Sequence, residues 1–122
     1  MSDNYSLIIK NGTCYIDSKL IKVDIALSDN KIKKIGKIEL NSSKVFDATD
    51  KLVLPGIIDT QTHFREPGST DVEDLESGSR AAVLGGVTSL FEMPNTNPPT
   101  SNLIEFDKKL QLAKDRMHSN YA

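Results

Sequence analysis

Two strand-like segments, Ile57 to Phe64 (IIDTQTHF) and Val87 to Met93 (VTSLFEM), bracket a helix-patterned stretch, and their separation of about 30 residues is the length of one β-α-β unit. Strands joined in this way run parallel through a right-handed crossover, in a sheet covered on both faces. The second run is apolar at consecutive positions, as such a strand requires. Between the runs, Thr70-Asp71-Val72-Glu73 has the Thr-x-x-Glu spacing of a capping box, which predicts a helix start. Leu75, Gly78, Ser79, Ala82 and Val83 then fall on one helical face, and Gly85-Gly86 supplies the backbone freedom of a helix end. That face is mostly small, so the helix can sit close to a sheet. Met93 to Pro99, with its prolines and asparagines, reads as loop. A second helix is predicted after Thr100 or Ser101, burying Leu103, Phe106, Leu110, Ala113 and Met117. Two strands and two helices leave much apolar surface bare, so residues 55–122 read as the opening of a larger α/β domain.

Residues 1–54 have a different texture, that of short strands between turn residues. Ser6 to Lys10 and Thr13 to Ile16 flank Asn11-Gly12, a pair suited to a type I′ hairpin turn. Ile21 to Leu27 alternates like a half-buried strand, and Ser28-Asp29-Asn30 turns into KIKKIG. Val45-Phe46 and Lys51 to Leu54 add two short candidates, so a small antiparallel sheet is expected. No residue in this half suggests chemistry.

Composition narrows the function classes. A net charge of -2 with scattered Lys and Arg offers no basic stripe for phosphates, so nucleic acid is not an expected partner. Neither a signal-peptide pattern nor an apolar span of bilayer length is present, and the one cysteine, Cys14, has no internal partner. A cytoplasmic protein without membrane attachment is expected.

The end of the first run, PGIIDTQTHFREPG, carries the chemistry. Alternation along a strand puts Asp59, Gln61, His63 and Arg65 on one face, and Thr60, Thr62 and Phe64 on the other. Polar groups aligned at the end of a buried parallel strand are costly without partners, and α/β folds place ligands at strand ends. Taken singly, His63 is a hydrogen-bonded or exposed histidine, Arg65 a surface arginine paired with Glu66 or Glu73, and Asn95 a turn former. Arg65 and Asn95, however, follow equivalent ends of neighbouring parallel strands and can share one ligand. The row therefore reads as a site.

These segments, PGIIDTQTHFREPG followed by GSRAAVLGGVTSLFEMPNTNP, resemble the N-terminal part of the dihydroorotases, members of the amidohydrolase superfamily. REPG and MPNT are the specific pieces: allantoinases typically carry Asn-Glu-Pro-Gly where this chain has Arg65-Glu66-Pro67-Gly68, and hydantoinases lack the tetrad. The resemblance implies an α/β fold in two parts. Residues 1–54 would form part of a small β-sandwich domain, and residues 55–122 the first two βα units of a truncated (β/α)8 barrel.

It further implies a zinc-dependent hydrolase that interconverts dihydroorotate and carbamoyl aspartate in pyrimidine synthesis, the metal activating water while a carboxylate elsewhere moves protons. His63 matches a zinc ligand, and Arg65 and Asn95 match the residues that hold the substrate carboxylate. Gln61 departs from the usual His-x-His, and a neutral amide oxygen is a poorer zinc ligand than imidazole. The other ligands and the catalytic aspartate belong to later strands, so no catalytic residue is expected within this chain, which is expected to be inactive by itself. Homo-oligomers or association with aspartate transcarbamoylase are the macromolecular partners implied. Two alternatives stay open: an inactive dihydroorotase-like homologue that binds aspartate transcarbamoylase, and a related cyclic amidase of the allantoinase or hydantoinase type.

Overall fold

One long strand, β1 (Leu7–Ile16), organises the first of two units, Met1–Pro55, in a computed structural model that describes residues 5–39 and 44–122. β1 pairs antiparallel with β2 (Lys19–Ser28), and β2 pairs antiparallel with β3 (Lys31–Gly36). The Asn11-Gly12 hairpin turn predicted from sequence is not there: β1 runs through it. Asn11 does take positive φ (64°), but it forms a bulge where the β1–β2 register shifts. Gly12 serves close approach, since a Cβ there would stand 2.6 Å from Val53 Cγ2. The reversal falls instead at Asp17-Ser18, with φ of 48° and 62°, the type I′ pattern. The second turn lies at Asp29-Asn30, as expected.

The sheet is mixed, not antiparallel. β4 (Val45–Asp47) and β5 (Leu52–Val53) both pair parallel with β1, at Ile8–Lys10 and at Thr13–Cys14. A ten-residue strand has room for two short neighbours along its length, and runs of two or three residues carry no sign of their direction. Tyr5, Ile8, Ala26 and Ile38 form the core of this unit. Asp24 braces it, its carboxylate accepting Asn11 N (3.0 Å) at the bulge and Ile38 N (3.1 Å) beyond β3.

The second unit, Gly56–Ala122, runs β6 (Ile57–Thr62), α1 (Leu75–Leu84), β7 (Val87–Glu92), α2 (Leu103–Ala113) and β8 (Asn120–Tyr121). The strands form a parallel sheet in the order β6-β7-β8. Its third strand was not expected, because Asn120-Tyr121 is too short to show a period.

α1 begins later than the Thr70 capping box predicts. Thr70 to Val72 are turn residues, and the box is built by Asp74, whose carboxylate accepts Ser77 N at 2.7 Å while Ser77 Oγ accepts Asp74 N at 3.1 Å. Leu75, Gly78 and Ser79 are buried as expected, whereas Val83 is exposed. Gly78 lets the helix close on the sheet, since a Cβ there would lie 2.4 Å from Phe64 Cε1. α2 is capped by Asn102, which accepts Glu105 N at 3.0 Å. Of its predicted stripe, Ala113 is buried with Phe64, Leu75 and Leu90, and Met117 packs against them, but Leu103 is 79% exposed. The helix therefore meets the core through its C-terminal half. The whole is a mixed α/β fold in which strands dominate, and no described helix is long and apolar enough to cross a membrane.

Candidate functional site

The β6–β7 ladder ends at the pair Thr62 and Glu92, where Met93 N donates to Thr62 O at 2.8 Å. β6 stops short of its predicted end at Phe64, so His63 and Arg65 stand just past the strand. The side-chain alternation continues nonetheless: Phe64 is buried in the core, while His63 and Arg65 are exposed. Earlier in the row, Asp59 is half-buried and accepts Gln61 N at 3.0 Å, a local bond that accounts for its polarity.

His63 and Asn95 are in direct contact, Nδ1 to Oδ1 at 2.8 Å. A ring that donates from Nδ1 to this carbonyl oxygen keeps the lone pair of Nε2, the form an imidazole needs as a metal ligand. The two loops that follow β6 and β7 are tied together further out, where Asn97 N donates to Pro67 O at 3.0 Å. Gly68, with φ of 128°, permits this approach, since a Cβ there would lie 3.1 Å from Asn97 Cβ. Both Glu66-Pro67 and Asn97-Pro98 are cis. The Arg65 carbonyl accepts Ser69 N at 2.8 Å, and the residue is exposed. His63, Arg65 and Asn95 thus share one end of the parallel pair, and Asn95 bonds to the histidine rather than standing by the arginine alone.

Sequence reasoning missed Glu66. It pairs with neither Arg65 nor any near neighbour but with Arg116, in a two-pronged contact of 2.9 and 3.0 Å, and its carboxylate also accepts Leu75 N at 2.9 Å. It is buried, and the Arg116 hydrogen bonds hold its carboxyl below the usual range while raising the guanidinium. One side chain thus fastens the loop after β6 to the start of α1 and the turn after α2. Its place in a tetrad ending Pro67-Gly68 hinted at a fixed loop, but nothing local pointed to a partner so distant in sequence.

His63 fits one position of a metal shell. Among the described residues no group of three or more His, Cys, Asp or Glu side chains converges to complete one. What the contacts at this end of the sheet show is an imidazole and an amide held together, with Arg65 exposed on the same loop as His63.

The amidohydrolase family model matches residues 52–119. Dihydroorotase from Lactobacillus helveticus is 50% identical over 91 residues, covering 75% of this chain and 21% of that protein. Allantoinase from Escherichia coli is 40% identical over 115 residues, covering 93% of this chain and 25% of that protein. L-Hydantoinase from Arthrobacter aurescens superposes with a TM-score of 0.87 at 30% identity, covering 97% of this chain and 27% of that one. The chain therefore spans about a quarter of the length of the relatives it matches.

Proposed function

The chain belongs to the amidohydrolase family, and on that premise we propose that it is the N-terminal part of a dihydroorotase, opening and closing the cyclic amide of dihydroorotate in the cytoplasm. The two compact units then correspond to part of a small β-sandwich domain and the start of a (β/α)8 barrel. Amidohydrolases are generally metal-dependent, and the metal, zinc in this reading, supplies Lewis acidity at the ring carbonyl. His63 is the residue of this chain that would hold it. Arg65, permanently charged and planar, takes the substrate carboxylate through paired hydrogen bonds. Asn95 orients the imidazole through Oδ1 and keeps its amide hydrogens for the same carboxylate. The remaining ligands and the proton-moving carboxylate come from later strands.

The observation that carries this reading is the placement of His63, Arg65 and Asn95 at one end of β6 and β7, with arginine opening the tetrad. Greater identity to dihydroorotase than to allantoinase supports the same choice. The test is hydrolysis by the full-length protein of dihydroorotate, allantoin and hydantoin under matched conditions. Dihydroorotate should be preferred by kcat/KM, and preference for either other ring would move the assignment within the family.

Gln61 favours a second reading, an inactive homologue that binds aspartate transcarbamoylase. Full-length protein that retains no zinc, turns over none of the rings and co-elutes with the transcarbamoylase would establish it.

A further inference from the structure

The parallel ladder between β6 and β7 breaks in an unusual way at its site end. Met93 N donates to Thr62 O, so regular pairing would next place Phe64 N on Met93 O. Neither group makes that bond. Phe64 N donates to Glu92 Oε1 at 3.1 Å, and Met93 O accepts from Lys109 Nζ at 3.3 Å. Glu92 Oε2 and Lys109 Nζ are themselves an ion pair, with both side chains only 11% exposed. An anion has captured the donor of the missing rung and a cation its acceptor.

We propose that the Glu92–Lys109 pair acts as a wedge that replaces one rung of the ladder and so sets the backbone spacing at which His63 and Asn95 meet through their side chains. The proposal rests on the hydrolase reading for its purpose, although its geometry stands without it. Phe64 lies between His63 and Arg65, and Met93 is two residues before Asn95, so each site residue hangs from backbone that the pair holds. With the rung closed, the strands would continue pairing past Thr62 and draw His63 and Asn95 into the ladder. With it held open, the two loops leave the ladder and meet instead through the side chains of His63 and Asn95 and, further out, through Asn97 N and Pro67 O. The pair borders an apolar cavity of about 180 Å³ lined by Leu90, Phe106, Leu110, Ala113 and Met117. In such surroundings a paired charge resists replacement by water, and loss of one partner leaves the other uncompensated. Glu92 and Lys109 are positioning residues here, since neither contacts the site face.

The test is a crystal structure of the full-length protein carrying Glu92→Leu with Lys109→Met, which keeps volume and removes both charges together. Phe64 N should move onto Met93 O at about 2.9 Å. The His63–Asn95 contact should lengthen beyond hydrogen-bond range, and kcat should fall about tenfold or more with thermal stability retained. If the double variant does not fold, Glu92→Asp decides: one methylene shorter, it keeps the charge but reaches only one of its two partners, and the His63–Asn95 contact should again change. A rung still open in the double variant, or an unchanged His63–Asn95 distance in whichever variant is solved, overturns the wedge. A wild-type protein that hydrolyses no cyclic amide would instead overturn the functional reading and leave these distances to judge the wedge separately.

Discussion

At the residue scale, Arg65 bears the sharpest prediction. In the full-length protein, Arg65→Lys keeps the charge but loses the planar fork, so positioning of the carboxylate suffers, while Arg65→Met removes both. The latter should cost about 2–5 kcal/mol of transition-state stabilisation, as for a charged pair cut at one end. Asn95→Ala should act in the same direction more weakly and non-additively with Arg65→Met, since both groups are assigned to one carboxylate. Kinetics on dihydroorotate against a cyclic amide without a carboxylate check this, and equal slowing of both substrates would make Arg65 a structural residue. The polar face ending in His63 and Arg65 was legible because strand alternation is a local property. The contact between His63 and Asn95 was not, because it depends on how far two loops lean toward each other. Gln61 invites a second comparison. Gln61→His should raise zinc retained after matched dialysis, because imidazole is the better ligand; equal retention removes position 61 from the metal shell.

At the level of elements, helix and strand types followed from period, whereas ends and partners followed from tertiary contacts. Thr70 has the right spacing for a cap, yet Asp74 takes the role because Glu66 already fixes Leu75 N at the first turn. Asn11-Gly12 has the chemistry of a turn and is used as a bulge, because Val53 and Ala48 need the space a side chain would fill. Short β4, β5 and β8 lacked enough residues to declare direction. The Glu66–Arg116 bracket predicts a pH effect. Its folded pKa lies below the ordinary 4.5, so its contribution is fully present above about that pH and is lost as pH falls through the depressed value. Glu66→Gln should flatten this acid limb in thermal melts and cost about 1–3 kcal/mol near neutrality, Arg116 being partly exposed. A wild-type acid limb that survives in Glu66→Gln would assign it elsewhere. Gly78→Ala should also destabilise, by about 1–3 kcal/mol, because the added methyl meets the buried ring of Phe64. A melting temperature equal to wild type would show that α1 can move outward at no cost.

For the whole molecule, apolar surface decides what the 122-residue chain can do alone. In the second unit Ile57 and Ile58 are successive residues of β6, so they point to opposite faces of the sheet, and they are 56% and 61% exposed. Leu84, Leu103 and Ile104 are more exposed still, and both β6 and β8 are edges of their sheet. A parallel sheet is stable when its two faces are covered, and open edges beside bare apolar residues favour association between copies. The site has the same deficit, since among the described residues no cluster of His, Cys, Asp or Glu side chains completes a metal shell around His63. The purified 122-residue chain should therefore self-associate at micromolar concentration and show no metal-dependent turnover of dihydroorotate, whereas the full-length protein should do the reverse. Analytical ultracentrifugation, thermal melting and a dihydroorotate assay with and without zinc provide the comparison. A monomer with a sharp two-state melt would mean that the two small cores suffice without further cover, and zinc-dependent turnover by the chain alone would require a metal site formed by residues other than those assigned to it.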